Sequence, residues 1–228
     1  MKIAAIILAR GGSKGIPHKN RKLFCGKPLI VWTIEQAKNA RSVDSVWVSS
    51  DDPEILAIAK QNGAHEIIRP TELSGDEATS ESGWLHAVDN IERTGVKIDL
   101  VIGLQPTSPL RESGDIERGI EVFLRENLDS LFAGAELKDF LIWKTDCQTN
   151  LESLNYDYRQ RKRRQDCALQ YVENGSFYIF KPEILRRYNN RFGGKIGVAL
   201  MELWKSFELD SQTDWKMCEI LMNVFLLQ

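Results

Sequence analysis

The first 34 residues contain no aspartate or glutamate, although they carry seven lysines and arginines. Because the chain of 228 residues has a net charge of −2, the residues after Ile34 sum to −9. Within this acid-free opening, the apolar run Ile3–Ala9 passes into a loop with three glycines and spaced cations, Arg10–Asn20. We predict an anion site there, since glycines let backbone N–H groups approach a phosphate and cations neutralise it.

Other absences exclude whole classes of protein. No apolar run approaches the ~20 residues that cross a bilayer, and Ile3–Ala9 lacks the cleavage site of a signal peptide. The four cysteines lie far apart without a C-x-x-C pair, and the three histidines show no ligand spacing. We therefore expect no membrane association, no zinc site, and free thiols in a reducing cytoplasm.

The front half of the chain alternates between strand-like and helix-like hydrophobic periods. This pattern predicts a mostly parallel sheet with helices on both faces, within one domain, 1–228. Asp52 before Pro53 and Ser113 before Asp115 are helix start signals. The predicted strands are Ile3–Ala9, Ser45–Ser49, Glu66–Ile68 and Leu100–Leu104, and the predicted helices are Leu29–Asn39, Pro53–Asn62, Ser80–Arg93 and Asp115–Glu126.

After about Glu136 the alternation weakens, and a polar segment projects from the predicted core. A tight turn is predicted at Asn174-Gly175, a pair that favours hairpins. The predicted elements of this half are strands at Phe140–Lys144, Tyr171–Val172 and Ser176–Phe180 and a last helix at Thr213–Phe225 capped by Ser211.

Ligands of parallel sheets bind beyond the carboxyl ends of the strands. The loop after the first strand has neither the G-x-x-x-x-G-K-[ST] pattern of an ATP-binding P-loop nor the G-x-G-x-x-G pattern of a dinucleotide-binding site. From composition alone, a solvated basic turn remains an alternative. The loops expected at those strand ends are Arg10–Lys22, Ser49–Pro53, Arg69–Ser80 and Gln105–Arg111.

Five short motifs occur in order along the chain. They are Ala9-Arg-Gly-Gly-Ser-Lys-Gly-Ile-Pro-His-Lys-Asn20, Ser49-Ser-Asp-Asp-Pro-Glu54, Arg69-Pro-Thr-Glu-Leu-Ser-Gly-Asp76 with Thr79-Ser80, Leu104-Gln-Pro-Thr-Ser-Pro-Leu-Arg111 and Asn174-Gly-Ser-Phe-Tyr178. Together these motifs resemble those of the CMP-sialic acid synthetases, which are cytidylyltransferases of nine-carbon 2-keto sugar acids. One departure is Leu8, where the family often has proline.

The resemblance implies a three-layer, Rossmann-like nucleotidyltransferase fold of the glycosyltransferase-A type. It also implies a protruding dimerisation arm at about 136–174 and a homodimer that exchanges these arms. The activity it implies is the activation of a nonulosonic acid with CTP, for cell-surface polysaccharide biosynthesis.

The same resemblance assigns roles to individual residues. Arg69 and Ser80 would hold the cytosine, although a surface ion pair is the alternative for Arg69. Gln105 would bind the acceptor sugar, with a structural hydrogen bond as the alternative. The remaining nucleotide contacts would come from Ala9, Arg10, Gly11, Gly12, Ser13, Lys14, Lys19 and Asn20, of which Arg10, Lys14 and Lys19 would also act in catalysis.

Glu208 and Asp210 are the predicted metal ligands. In a strand, residues two apart point to the same face, and carboxylates with triphosphate oxygens suit Mg²⁺. The family usually has Asp-x-Asp here, so Glu208 acts either directly or through water, while Asp210 is also a catalytic candidate. Two exposed carboxylates before a helix are the structural alternative.

The basic run Arg159–Arg164 has two interpretations. Nucleic-acid binding would need a wider basic patch on a less acidic chain, so we expect none. The resemblance instead implies that arm cations reach the sugar carboxylate in the partner subunit, with Arg164 at the matching position and Lys144 as a weaker candidate. For Arg159–Arg163, a solvated loop is the alternative.

The implied reaction joins CTP and a 2-keto sugar acid to give a CMP-sugar and pyrophosphate. A cytidylyltransferase for the eight-carbon acid Kdo and an inactive nucleotide-binding relative are the alternatives. The sequence names neither the general base nor the particular sugar among sialic, legionaminic and pseudaminic acids.

Overall fold

The computed structural model describes residues 1–13, 15–138, 140–146, 149–163, 166 and 168–227. In chain order the strands are β1 (Ile3–Leu8), β2 (Leu23–Phe24), β3 (Lys27–Pro28), β4 (Ser45–Ser50), β5 (His65–Ile68), β6 (Leu100–Leu104), β7 (Ser130–Glu136), β8 (Trp143–Thr145), β9 (Leu151–Ser153), β10 (Tyr171–Phe180) and β11 (Ile196–Leu200). The helices are α1 (Leu29–Lys38), α2 (Pro53–Gln61), α3 (Ser80–Glu92), α4 (Ser113–Arg125), α5 (Pro182–Tyr188) and α6 (Gln212–Phe225).

Seven strands form one mixed sheet in the order β11-β7-β10-β6-β1-β4-β5. β10 runs antiparallel to its neighbours β6 and β7, and the other six strands are parallel to one another. The carboxyl ends of β1, β4, β5, β6 and β7 therefore share one edge, which β10 enters with its first residues. The predicted mostly parallel sheet is confirmed.

Helices cover both faces of the sheet, because neighbouring side chains of each strand point to opposite sides. Ile7 of β1 lies in a core with side chains of α1, α2 and α4, whereas Ile6 packs with Trp84 of α3 and Leu185 of α5. Burial of each large apolar side chain contributes about 1.5–3 kcal/mol. The predicted three-layer arrangement is confirmed.

A third apolar cluster lies under the candidate anion loop. Trp215 and Met222 of α6 pack there with Ile16 of the loop, Phe24 and Leu209. Because Leu209 separates the two candidate metal ligands, α6 fixes the loop and the acidic pair against the same core.

Two of the three predicted helix caps are confirmed. Asp52 accepts hydrogen bonds from Glu54 N and Ile55 N, and Ser211 accepts one from Asp214 N. The third was wrong: α4 is capped by Glu112, which forms a reciprocal capping box with Asp115, and Ser113 is the first helical residue. Asp115 Oδ2 accepts a hydrogen bond from Glu112 N at 2.8 Å, which is the contact from the third helical residue back to the cap.

In the second half of the chain, the structure differs from the elements predicted from the sequence. Asn174-Gly175 is not a turn, since β10 continues through it with a bulge in its pairing to β7. Gly175 has a φ of +64°, and Asn174 Oδ1 accepts a hydrogen bond from Ser176 N. The features that suit a hairpin turn thus serve a bulge. Within the main sheet, the strands β7 and β11 were not predicted from the sequence.

The segment between β7 and β10 holds a small hairpin outside the main sheet. β8 pairs with β9 in antiparallel register, Trp143 opposite Ser153. The predicted strand Phe140–Lys144 therefore begins three residues before the observed one. Within the described residues, no helix has both the length and the apolar character that a membrane crossing requires.

Candidate active site

An open cleft of about 390 Å³ lies at the carboxyl edge of the sheet. It is bounded by the loops after β1, β5 and β6 and by the segment before α6. Its lining residues are Leu8, Arg10, Gly12, Ser13, Lys19, Asn20, Arg69, Leu73, Ser74, Gly75, Asp76, Ala78, Thr79, Ser80, Gln105, Pro106, Thr107, Glu208 and Asp210. Motifs that are distant in sequence therefore meet in one cavity.

The loop after β1 is held in shape by hydrogen bonds that its backbone groups form with neighbouring segments. Ala9 N donates to Ser49 O at 3.1 Å beneath the loop, and Gly11 N donates to Asp51 Oδ1 at 2.9 Å. Asn20 Nδ2 donates to Arg10 O at 2.9 Å, so this buried amide closes the far side of the loop. Asn20 thus has a structural role in addition to its predicted contact with the nucleotide.

Close approach explains two of the loop glycines. A Cβ at Gly11 would lie 2.8 Å from Cβ of Asp52, and one at Gly15 would overlap the carbonyl oxygen of Asp210. A Cβ at Gly12, by contrast, meets nothing within 4 Å. Gly11 and Gly15 therefore let the loop pack against its neighbours, and Gly12 leaves its backbone open to the cleft.

Two loop cations face the cleft from different depths. Arg10 is partly exposed and pairs with Asp76 Oδ1 at 3.0 Å across the rim. Lys19 is buried, and its Nζ donates to the carbonyl of Leu209 and lies 3.4 Å from Asp210 Oδ1. Lys14 lies outside the described residues, so its predicted contact stays a prediction.

The part of the cleft that is predicted to hold the cytosine is formed by Arg69 and the start of α3. Arg69 is buried, so it is not the surface ion pair that the sequence left open, and its Nε donates to Ser74 Oγ at 3.0 Å. Burial lowers the pKa of Arg69, and nearby Arg10 lowers it further while Asp51 raises it. Ser80 is the first residue of α3, which is capped by the Thr79 hydroxyl.

Glu208 and Asp210 line the cleft on either side of the buried Leu209, whose N–H donates to Thr107 O at 2.8 Å. Burial raises the pKa of Glu208, and the charge of Asp210 raises it further. Two carboxylates that repel each other in a partly buried site fit a divalent cation. No group of three or more metal-binding side chains occurs among the described residues, so phosphate oxygens and water would complete the coordination.

The end of β6, the strand next to β1, forms another wall of the cleft. Gln105 lies in this wall, and its carbonyl accepts a hydrogen bond from Arg111 Nη2 at 3.0 Å. The structural hydrogen bond considered for Gln105 therefore involves its backbone. Its predicted contact with the sugar stays a prediction.

Of the two predicted arm cations, only Lys144 lies within the described residues, and it does not line this cleft. Lys144 lies on β8, exposed, and pairs with Glu152 of β9 at 3.1 Å. Arg164 lies outside the described residues. Both predictions concern the cleft of a partner subunit, and they stay predictions.

Four residues of the motifs have contacts at the site that were not predicted from the sequence. Thr79 caps the helix that borders the cleft, and Asp76 pairs with Arg10. Arg111 lies buried behind Gln105, and Gly175 leaves the space that the Glu208 carboxylate occupies. Thr79 was readable as a helix cap, but only the tertiary structure shows the contacts of the other three.

The fold resembles that of solved cytidylyltransferase structures. CMP:2-keto-3-deoxy-manno-octonic acid synthetase complexed with CTP superposes with a TM-score of 0.72 at 16% identity, covering 99% of this chain and 100% of that one. At that identity the likeness supports the fold alone.

Sequence comparison is more specific. N-acylneuraminate cytidylyltransferase A of Danio rerio is 36% identical over 95% of this chain, which spans about half of that relative's length. Pseudaminic acid cytidylyltransferase of Campylobacter jejuni subsp. jejuni serotype O:23/36 (strain 81-176) is 31% identical, over 98% of this chain and 97% of its own. The cytidylyltransferase family model matches residues 4–226, and the chain belongs to this family, together with the enzymes of acylneuraminate and pseudaminic acid activation.

Proposed function

We propose that the protein is a CMP-nonulosonate synthetase, which transfers the CMP group of CTP to a nonulosonic acid. The observation that supports it best is the convergence of four separate motifs on one cleft. The anion loop supplies cations on one side, Arg69 and α3 border a second, and Gln105 lies at the end of β6 in a third. The acidic pair Glu208 and Asp210 closes the arrangement.

In the proposed reaction, the anomeric hydroxyl oxygen of the acid attacks the α-phosphorus of CTP. The bond between that phosphorus and the bridging oxygen breaks, pyrophosphate leaves, and the hydroxyl proton is released. Such a transfer requires mainly positioning and the neutralisation of charge. Lys19 and Arg10 are placed to stabilise the charge that develops on the leaving group.

Glu208 and Asp210 are the residues that would hold Mg²⁺, as their repelling charges indicate. When bound, this ion supplies charge neutralisation on the phosphate oxygens and a lowered pKa of the attacking hydroxyl. Lys19, which contacts both the Leu209 carbonyl and Asp210, orients the acidic pair toward the nucleotide.

We further propose that the active form is a homodimer in which the segment 136–174 of each subunit completes the partner's cleft. Large apolar side chains are exposed along this segment, including Leu151 at 68% and Leu169 at 69%. An exposed concentration of this kind is characteristic of an interaction surface. The proposed location of the enzyme is the cytoplasm, where CTP is available and scattered thiols stay reduced.

The test is an assay of pyrophosphate release with CTP, Mg²⁺ and a panel of sialic, legionaminic and pseudaminic acids plus Kdo. Turnover with a nine-carbon acid supports the proposal and identifies the substrate. Preference for Kdo would replace it with the eight-carbon alternative. Tight CTP binding without turnover of any acid would leave the inactive relative as the explanation.

A further inference from the structure

Arg111 is a buried cation whose side chain does not reach the cleft. It is 1% exposed, and its guanidinium donates to five neutral oxygens. Those acceptors are Gln36 Oε1, Thr33 Oγ1, Gln105 O, Ser176 O and Ser176 Oγ. Burial lowers the pKa of Arg111 to about 9, although Asp115 acts to raise it. A buried charge that hydrogen-bonds only to neutral groups lowers the stability of the fold. The positions of its acceptors therefore indicate which segments Arg111 holds in place.

The acceptors fall into two groups. Thr33 and Gln36 belong to α1 and do not line the cleft. Gln105 and Ser176 belong to the cleft side, since Gln105 lines it and Ser176 follows Gly175 in the bulge of β10. Arg111 therefore joins the end of β6, the bulge and α1 through one rigid group.

Both cleft-side contacts lead to the acidic pair. A Cβ at Gly175 would overlap the Glu208 carboxylate, so the bulge backbone sets the space in which Glu208 lies. The loop that Arg111 closes through Gln105 also holds Leu209, because Thr107 O accepts from Leu209 N at 2.8 Å. A shift of the guanidinium would move the acceptor-side wall and the acidic pair together.

We propose that Arg111 is a positioning residue that couples the Gln105 wall of the cleft to the Glu208–Asp210 pair. The proposal rests on the function proposed above. It assigns Arg111 to the acceptor and metal side of the reaction, with little effect on the binding of CTP.

A matched pair of variants separates this role from general stability. Ser176→Ala removes the 3.2 Å bond from Arg111 Nη1 to Ser176 Oγ on the cleft side. Thr33→Val removes the 3.0 Å bond from Nη2 to Thr33 Oγ1 on the α1 side. Each removes one acceptor from the same buried guanidinium. Arg111→Lys keeps the charge but loses the planar guanidinium that contacts Gln105, Ser176 and α1 at the same time.

For Arg111→Lys we expect the KM of the acid to rise, or kcat to fall, about tenfold, with a higher Mg²⁺ concentration for half-maximal rate. The KM of CTP at saturating Mg²⁺ should stay within about twofold. Ser176→Ala should shift the same constants in the same direction by about threefold, and Thr33→Val should lower the melting temperature without changing them.

Equal effects of Ser176→Ala and Thr33→Val on the acid and Mg²⁺ constants would overturn the proposal, as would a loss of CTP affinity parallel to the loss of rate. If Arg111→Lys does not fold, the comparison of Ser176→Ala with Thr33→Val still tests the proposal. If the wild-type protein turns over no acid, the proposed function fails by itself. Crystal structures of the two single-acceptor variants then test the coupling, which predicts displacement of Gln105 and Glu208 in Ser176→Ala alone.

Discussion

Lys19 is the residue that connects the acid-free beginning of the chain with its acidic end. Its buried Nζ contacts the Leu209 carbonyl and Asp210, 190 and 191 residues away. A lysine held this way brings a positive charge to the point where the anion loop and the acidic pair meet. The same charge also limits the repulsion between Glu208 and Asp210, since it acts to lower the pKa of Glu208.

Replacement of this amine tests its role. In Lys19→Met we expect kcat/KM for CTP to fall about 100-fold, because a charge that stabilises the leaving pyrophosphate is lost. Lys22→Met is the control from the same basic segment, since Lys22 contacts Gln212 and the Trp215 ring instead of the cleft. Steady-state kinetics that showed the same loss in both variants would remove Lys19 from the mechanism.

The acidic pair gives a second prediction at this scale. Asp210 is largely exposed to the cleft, whereas Glu208 is partly buried under the bulge of β10. We expect Asp210→Asn to lower the rate about 1,000-fold and Glu208→Gln to lower it about 100-fold, because Asp210 is the more accessible of the two proposed ligands. Pyrophosphate release measured across a Mg²⁺ titration checks this order, and the reverse order would make Glu208 the principal ligand.

At the scale of elements, the bulge of β10 matters most. The strand must pair with β7 before the bulge and with β6 and β7 after it, and the extra residues bend its backbone toward the acidic pair. Gly175 makes this bend possible through its positive φ and its missing side chain. The bulge therefore connects sheet geometry to the site.

Two glycines provide a matched test of the bulge. Gly175→Ala adds a Cβ against Glu208 at a φ of +64°, while Gly95→Ala adds one in open space at a φ of +89°. Both should lose about 1 kcal/mol of stability from the strained backbone. Only Gly175→Ala should also lose activity, in the manner of Glu208→Gln. Thermal melts with rate measurements check this, and full activity in Gly175→Ala would show that Glu208 does not depend on the bulge.

For the whole molecule, the decisive question is whether one chain forms a complete active site without a second subunit. The cleft is bounded by loops of the main sheet, whereas the segment with exposed apolar side chains projects from β7 and β10. The aromatic residues of that segment contact one another, as in the tilted pair of Trp143 and Tyr158, whose ring centroids lie 5.4 Å apart. We infer that this surface packs against a second copy.

Mixing two inactive variants tests the exchange of arms. Asp210→Asn disables the cleft of its own subunit, and Arg164→Ala removes the arm cation predicted to serve the partner. In a mixed dimer, one cleft regains both groups, so a random mixture should recover about a quarter of the wild-type activity. Sedimentation confirms the dimer, and a mixture as inactive as its components would contradict arm exchange.

Much of the front half was predictable from the sequence because its information is local. β1 and β6 are short apolar runs, β4 and β5 are short segments that include valine or isoleucine, and the Asp52 cap bonds to backbone N–H groups two and three residues away. Near the end of the chain, the Ser211 cap is local in the same way. Helix α4 was predicted although its cap was assigned one residue too late, because the spacing of its apolar residues does not depend on where the helix begins.

The rest depended on contacts that no local pattern encodes. β7 is rich in alanine and glycine, and it forms a strand because β10 and β11 pair with both its edges. Asn174-Gly175 has the local signal of a turn, yet neighbouring strands on either side convert it into a bulge. Tertiary pairing thus decides between two conformations that the same dipeptide favours.

By itself the sequence determined the alternating architecture, the anion loop and the family, because periodicity, glycines and ordered motifs are written along the chain. Only the tertiary structure decided how these parts meet. It placed Lys19 on Asp210, Arg111 behind Gln105, and Glu208 against Gly175. The physical reason is that burial and hydrogen bonding between distant residues depend on how elements pack, and packing is a property of the whole fold.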